Sequence, residues 1–330
     1  MSELPSIAGP PFTRHRVPEA KMNRERTLDE VRADIDSIDD TIQDLLIRRT
    51  ELVEEVRSIK RDWRVKIQPS REAKIIYRLI ERHRGPFPKR DLVAIWRILI
   101  CATLSFEGPF SVAVHVPAGG DGGYWDLARD HFGPCTPFSR HGSVHSVIET
   151  VRRQEAIVGV LPLPHHDDTD PWWRHIATSH PEAPKIIARL PFAGFSRAGA
   201  VEALVICPVT VVPTGRDRSF LAAESESRIG LEQFGKRLRE AGFDSAFATL
   251  WREREPPQGW LYLAEVEGWL GADDPRLQRL QKTLGRTSSR PLVLGGYTVP
   301  LSPESLGPPP TAAHAIAPIR QTKAEDTPAL

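Results

Sequence analysis

Cysteine is scarce in this 330-residue chain: there are three, and no two of them form a CxxC pair. Such scattered cysteines argue against a disulfide framework or a zinc site and suit the reducing cytoplasm. The sequence has no apolar run long enough to span a bilayer. Its first 20 residues also lack the apolar core of a signal peptide. We therefore expect a cytoplasmic protein with no membrane span and no metal.

Net charge is nearly absent as well. The chain has 44 Lys and Arg against 43 Asp and Glu, so the formal net charge is +1 at pH 7. No strong overall field would steer such a protein to phosphate, which argues against a dedicated nucleic-acid binder. A local cationic site stays possible.

The stretch from Thr27 to Trp63 contains neither proline nor glycine, and its apolar residues keep heptad spacing. This pattern predicts one long helix with a coiled-coil-like seam. Thr27 to Glu30 has the form of a capping box, and the helix is expected to continue to the region before Pro69. Arg49 falls inside the seam, where a buried charge costs stability unless it is paired or binds something. Pattern alone leaves open whether Arg49 is an anion-binding residue or a solvated one.

Two shorter helices follow in the sequence. One is predicted from about Arg71 to Arg84, with Ser70 as its N-cap. The next is predicted to begin after Pro88 and to end near Glu107. Thr103 lies four residues before Glu107, so the two stack on one otherwise apolar helix face. The first unit is therefore predicted to be all-α, with three helices.

From residue 110 the chain alternates between strands and helices, which predicts an α/β domain. From residue 214 the order becomes βαββαβ, the ferredoxin-like arrangement. The predicted strands are 110–116, 156–163, 185–192, 201–207, 218–223, 245–252, 259–266 and 291–298, and the helices lie within 126–132, 144–153, 226–241 and 274–284. The predicted organisation is a disordered leader (1–26), a helical domain (27–108), an α/β domain (109–213), a ferredoxin-like domain (214–301) and a disordered tail (302–330).

Distances along the long helix restrict which cations can act together. Arg49 and Lys60 are 11 residues apart, roughly 16 Å on one face, so they can close on a small anion. Arg32 and Lys60 are 28 residues apart, roughly 42 Å, so they cannot share a pocket within one straight helix. If Arg32 is functional, a partner subunit must complete its site. The apolar seam also predicts that the helix packs on a partner helix. The alternatives are a solvated Arg32 and simple helix-end chemistry for Arg71 and Glu72.

Three segments resemble the all-helical chorismate mutase family: LDEVRADIDSIDDTIQDLLIRRTELVEEVRSIK, SRE and LVAIWRILICATLSFE. The resemblance covers about Thr27 to Glu107. This stretch is similar to the mutase domain at the head of bifunctional mutase–dehydratases. It implies an intertwined homodimer that rearranges the small molecule chorismate to prephenate, without cofactor or metal. It assigns the following residues: catalytic Arg49, Lys60 and Glu107, and substrate-binding Arg32, Arg71, Glu72 and Thr103.

The resemblance also implies a role for each group. Arg32 reaches a substrate carboxylate across the dimer, and Arg49 clamps a carboxylate within its own chain. Lys60 contacts both the ether oxygen and a carboxylate. Glu72 faces the substrate hydroxyl. Two departures from the family are Gln68, where aspartate is common, and Glu107, where glutamine is usual.

These residue types suit the chemistry of a dianion that rearranges in a unimolecular step. An enzyme can hold the compact conformer of chorismate and stabilise the negative charge that develops on its ether oxygen. Arginine forks suit the carboxylates. As a carboxylate, Glu107 would repel the developing charge, so this role requires Glu107 to carry a proton.

The second half of the chain resembles a prephenate dehydratase followed by a regulatory ACT domain. FSVAVHVPAGGDGGYWDLARDHFG and EAIVGVLPLPHH carry the dehydratase likeness, and GWLYLAEVEGWL and PLVLGGYTVP carry the ACT likeness. The dehydratase's Thr-Arg-Phe falls on Glu202-Ala203-Leu204 and its Glu-Asn-Ser turn on Pro164-His165-His166. The phenylalanine-binding segments fall on Ile229-Gly230-Leu231 and roughly on residues 252–255.

Loss of both the general acid and the cationic clamp predicts a degenerate dehydratase-like region without dehydratase chemistry. Its expected role is structural or regulatory. Two alternatives stay open for the whole chain. One is a bifunctional mutase–dehydratase, and the other is a non-enzymatic dimeric scaffold or phenylalanine sensor.

Overall fold

The computed structural model describes residues 26–59, 65–120, 122–194, 199, 201–253, 259–285 and 290–307. The chain divides into two compact units, residues 1–52 and 53–330. No helix among the described residues is long and apolar enough to cross a membrane. All three cysteines are free thiols.

The first helix, α1, runs from Leu28 to Ile59, and its predicted capping box is confirmed. The Thr27 amide donates to Glu30 Oε2 at 2.9 Å, and the Glu30 amide donates to Thr27 Oγ1 at 3.3 Å. The expectation that this helix continues to Pro69 is wrong for residues 65–68, which are not helical. Gln68 has φ −130° and ψ 79°, because the proline that follows disfavours helical angles.

The apolar seam of α1 is exposed along its length. No residue of the helix is buried. Five seam residues of its first half are 49–63% exposed, namely Leu28, Ile35, Ile38, Ile42 and Leu45, whereas Val31 is half-buried. An apolar stripe of this length and exposure is typical of a helix that packs on a partner.

Helices α2 (Pro69–Arg82) and α3 (Lys89–Glu107) share a core with the C-terminal segment of the chain. Ile76 and Ile100 are buried there together with Leu301 and Leu306. The prediction of a disordered tail from residue 302 is therefore wrong for its first residues. Residues 303–306 form a 3-10 turn whose leucine covers the apolar face of the two helices. Residues 1–25 and 308–330 lie outside the described part of the chain.

The predicted Ser70 cap is also wrong, because α2 begins one residue before it. The Ser70 hydroxyl donates to the carbonyl of Val212 at 2.6 Å and accepts from the Val212 amide at 3.2 Å. This side chain thus connects α2 to the segment that leads into the ferredoxin-like part.

The remaining helices are α4 (Tyr124–Phe132), α5 (Val144–Arg152), α6 (Leu231–Ala241) and α7 (Pro275–Leu284). The strands are β1 (Val112–His115), β2 (Phe138–His141), β3 (Val158–Pro162), β4 (Lys185–Leu190), β5 (Ala203–Cys207), β6 (Asp217–Ser225), β7 (Ser245–Glu253), β8 (Gly259–Glu267) and β9 (Leu292–Thr298). The α/β alternation and the βαββαβ order are confirmed. Strand β2 was not predicted.

The helix predicted at 226–241 begins only at Leu231. The reason is a buried hydroxyl in the strand beneath it. The Tyr262 hydroxyl accepts from the Ile229 amide at 2.6 Å and donates to the Ile229 carbonyl at 3.0 Å. Both backbone groups are thereby satisfied outside a helix.

The nine strands of the described residues form one sheet, in the order β2-β1-β3-β5-β4-β9-β6-β8-β7. β1 pairs in parallel with β2 and β3, and β4 pairs in parallel with β9, while the other neighbours are antiparallel. The predicted α/β and ferredoxin-like domains therefore share a continuous sheet.

Helices cover both faces of this sheet. α5 and a 3-10 turn carrying Trp172 and Trp173 pack on one face of the α/β half. α4 packs on the opposite face, together with Cys101 and Leu104 of α3. α6 and α7 cover the ferredoxin-like half. The second and third helices thus bury apolar groups against the sheet-bearing part of the chain.

The two halves of the sheet meet where β4 pairs with β9 at Ile186 and Gly295. Gly295 has φ +112°, in the region that glycine adopts without strain. A Cβ at this position would lie 2.2 Å from the Ile186 carbonyl oxygen and 2.6 Å from its nitrogen. The close approach of these two backbones therefore requires glycine.

We expect Gly295→Ala to lower the free energy of unfolding by about 3 kcal/mol or more, because both the positive φ and the clash oppose the side chain. Urea unfolding followed by tryptophan fluorescence measures the loss. Gly119→Ala is the control, since its Cβ would meet no atom within 4 Å. Equal stability of the two variants would contradict the close approach.

Candidate active site

A cleft of about 530 Å³ opens at the C-terminal end of α3, within the second unit. Its volume lies in the range of small-molecule sites. Its lining includes Arg57 and Ser58 of α1, Lys66 of the segment that follows, Leu104 and Glu107 of α3, and Phe110 just before β1. It therefore combines cations, a carboxylate and apolar surface.

Glu107 is the candidate catalytic residue that lines this cleft. It is the last residue of α3 and is partly buried, at the negative end of the helix dipole. Arg57 and Lys66 line the same space. The predicted partner Lys60 lies outside the described residues, between Ile59 and Val65.

Glu72 is buried and forms an ion pair with Arg97. Arg97 Nη1 donates to Glu72 Oε2 at 3.1 Å, and both side chains are less than a tenth exposed. Burial raises the pKa of the Glu72 carboxyl, the charge of Arg97 opposes that rise, and Glu107 adds to it. Glu72 Oε1 makes no hydrogen bond with any described residue. One oxygen of this carboxylate is thus held by Arg97 and the other is not.

Arg97 was missed by the sequence reasoning, although a signal for it exists. Val93, Arg97, Ile100 and Leu104 are spaced by four, three and four residues, and all are buried. The arginine therefore interrupts an apolar stripe, as Arg49 does in the first helix. Its guanidinium carbon also lies 4.7 Å from the ring centre of Phe192.

The other two candidates on α2 and α3 differ in exposure. Arg71 is exposed, on a different side of its helix from the neighbouring Glu72. Thr103 is buried, and its hydroxyl lies 3.0 Å from the Leu99 carbonyl and 2.9 Å from the Ile100 carbonyl, to which it can donate. Arg71 therefore presents its charge to solvent, whereas the Thr103 hydroxyl is directed to its own helix.

The two candidate arginines of the first unit also differ. Arg49 is partly buried, which lowers the pKa of its guanidinium. Arg32 is 65% exposed and lies 3.6 Å from Asp29 on its own helix. The substrate-binding roles of both remain predictions.

Residues 202–204, to which the resemblance assigns the dehydratase's Thr-Arg-Phe, form a salt bridge and the start of a strand. Glu202 accepts from Arg189 Nε at 3.1 Å and from Nη2 at 3.0 Å. Ala203 and Leu204 are fully buried in β5. No hydroxyl or arginine side chain is therefore supplied by residues 202–204.

Comparison with known proteins identifies the helical part. Residues 31–108 match the family model described as chorismate mutase type II. Residues 31–108 are a chorismate mutase type II domain. The mutase domain thus comprises most of α1 and all of α2 and α3.

Two relatives are named bifunctional chorismate mutase/prephenate dehydratase. The one from Stutzerimonas stutzeri is 27% identical over 148 residues, which cover 43% of this chain and 40% of the relative. The one from Aquifex aeolicus (strain VF5) is 31% identical over 141 residues, which cover 41% of this chain and 38% of the relative. The chain therefore aligns with about two fifths of each relative.

Solved structures with some likeness to the chain include a quorum-quenching acylase, GqqA, and the prephenate dehydratase of Streptococcus mutans. The first is 19% identical and covers 60% of this chain and 98% of that one, with a TM-score of 0.41. The second is 13% identical and covers 58% of this chain and 98% of that one, also with a TM-score of 0.41. Likenesses this weak support no statement about function.

The cleft is lined by residues on both sides of the mutase domain's C-terminal boundary. Lys66 and Glu107 belong to the mutase domain, whereas Phe110 and Ile157 belong to the sheet-bearing part. The mutase domain therefore does not enclose this space by itself.

We expect Arg97→Leu to lower the free energy of unfolding by about 3–5 kcal/mol, because it leaves Glu72 as a buried carboxylate without its cation. Glu72→Leu should cost a similar amount, and the double variant should lose far less than the sum. Urea unfolding of the four proteins measures the coupling. Arg78→Leu, on the exposed side of α2, is the control and should change stability by about 0.5 kcal/mol or less. Additive losses from the two single variants would refute the coupling.

Proposed function

We propose that this protein is a chorismate mutase that rearranges chorismate to prephenate in aromatic amino-acid synthesis, without a cofactor. The observation that carries the proposal is the mutase domain at residues 31–108. The cleft beside Glu107 supports it, since its volume suits a small molecule. The cytoplasm is the compartment that we propose, because three free thiols suit a reducing environment.

In this proposal, catalysis rests on conformation and charge. Arg49 holds one carboxylate of chorismate, Lys60 donates to the ether oxygen, and Glu107 donates to the same oxygen in its protonated form. No covalent intermediate is needed, because the substrate rearranges within itself. The barrier falls to the extent that these donors bind the transition state more tightly than the ground state.

The two carboxylate oxygens of Glu72 have different roles in this proposal. One carboxylate oxygen is held by Arg97, and the other makes no hydrogen bond with the described residues. That second oxygen can accept from the substrate hydroxyl. A buried acceptor without a partner is costly, so a ligand hydroxyl would be bound favourably there. Arg71 and Thr103 complete the proposed set of substrate contacts.

The active unit that we propose is a homodimer. The exposed seam of α1 supports it, because ordering a partner helix there would remove a long apolar stripe from water. In the dimer Arg32 serves the site of the partner subunit, since it stands 28 residues before Lys60 in the sequence, roughly 42 Å if the helix is straight.

For the sheet-bearing part we propose a structural or regulatory role, with an ACT-like segment at 214–301. The relatives' names favour the alternative of a bifunctional enzyme. The Arg189–Glu202 salt bridge at the position of the dehydratase threonine argues against it. The further alternative, a dimeric scaffold or phenylalanine sensor, keeps the dimer and lacks turnover.

We expect the wild-type protein to convert chorismate, measured as loss of chorismate absorbance. Arg49→Ala should lower kcat/KM roughly 100-fold, because it removes a carboxylate clamp. The control is Arg48→Ala, which removes the adjacent arginine that pairs with Glu51 at 2.7 Å on the same helix. Wild-type inactivity would refute the mutase, and phenylpyruvate formation from prephenate would restore the bifunctional alternative.

A second prediction follows from a site that is shared between two subunits. Arg32→Ala and Lys60→Ala subunits should each be inactive alone and should recover about one quarter of wild-type activity when unfolded and refolded together in equal amounts. Half of the dimers are then mixed, and each mixed dimer has one intact site. The control mixes Arg49→Ala with Lys60→Ala, which lie in the same site and should not complement. Recovery in that control, or none in the first mixture, would contradict a site shared between subunits.

A further inference from the structure

Lys66 lines the cleft and has no role in the chemistry proposed above. It lies in the short non-helical segment, residues 65–68, that precedes α2. Arg57, near the end of α1, lines the same cleft. Neither residue belongs to the set that the mutase resemblance assigns.

The position of Lys66 is set by its two neighbours. Ile67 is 4% exposed and belongs to the core between α3, α4 and the sheet. Val65 packs against that core as well. Packing of Val65 and Ile67 on either side of Lys66 fixes its backbone beside the cleft, which both Lys66 and Ile67 line. The backbone of this lysine is thus positioned by the sheet-bearing part of the chain.

The charges in the cleft affect how it can receive the dianionic substrate of the proposed function. The carboxylate of Glu54 lines it, together with the negative end of α3. A dianionic ligand entering this space meets repulsion unless cations offset it. Lys66 and Arg57 are the described cations in the lining. The apolar remainder, from Leu104, Phe110 and Ile157, suits a hydrocarbon ring.

We propose that Lys66, together with Arg57, binds one carboxylate of the dianionic substrate, as a positioning pair outside the family's usual set. This inference rests on the proposed function. It also assigns a task to the sheet-bearing part, which holds Lys66 in place and forms the apolar wall of the cleft. Binding through a flexible ammonium would act on the ground state and the transition state alike.

The test compares steady-state kinetics of wild type, Lys66→Met and Lys66→Arg with chorismate. We expect KM to rise about tenfold or more in Lys66→Met, with kcat within about twofold, because uniform binding is lost. Lys66→Arg should restore most of the affinity. The control is Lys236→Met, which removes the same charge from an exposed position on α6.

A merely structural lysine would change the urea midpoint and leave KM unchanged, and that result would overturn the proposal. If wild type does not turn over chorismate, the proposed function fails, and the inference is then tested by calorimetry with prephenate as the probe. Weaker prephenate binding by Lys66→Met than by wild type would support the carboxylate site. Equal affinity, or no binding by either protein, would overturn it.

Discussion

The ion pair between Glu72 and Arg97 is the interaction on which the second unit depends. Two charges that are less than a tenth exposed join α2 to α3, so neither helix can move away without leaving a charge in an apolar core. The guanidinium also packs on Phe192, which follows β4. One arginine therefore holds together two helices of the mutase domain and the sheet-bearing part. The same pair leaves Glu72 Oε1 without a hydrogen bond to the described residues, and this is the oxygen to which we assign the substrate hydroxyl.

The first helix contrasts with this arrangement. α2 and α3 bury apolar faces in a shared core, whereas no residue of α1 is buried and its seam remains in water. An isolated helix of this kind gains little from propensity alone, so its stability must come from packing. The dimer that we propose for catalysis would supply such packing. A site completed by a second subunit forms only when that packing has formed.

Local sequence signals predicted much of the fold. The Thr27 capping box and the βαββαβ order follow from short-range rules and are confirmed. Strand β2 was missed because its four residues, FSRH, have no apolar alternation. Ser70 looked like a helix cap and instead bonds Val212, a residue 142 positions away that no local rule could identify. Arg97 could have been predicted, since the rule that singled out Arg49, a charge inside an apolar stripe, applies equally to the buried stripe of α3. The place of Lys66 beside the cleft could not be predicted, because it depends on the packing of Val65 and Ile67 on strands that are distant in the sequence.

The shared core of α2 and α3 has a consequence for the history of this chain. Ile76 and Ile100 are covered by Leu301 and Leu306, which come from the far end of the sequence. Cys101 and Leu104 are covered by strands of the sheet-bearing part. A region with only the structural role that we propose would usually be free to decay or to be deleted. Here its removal would uncover apolar surface on two helices of the mutase domain and expose them to aggregation. If the chain is the mutase that we propose, selection for that activity would preserve the sheet-bearing part for its packing alone, whatever chemistry it has of its own.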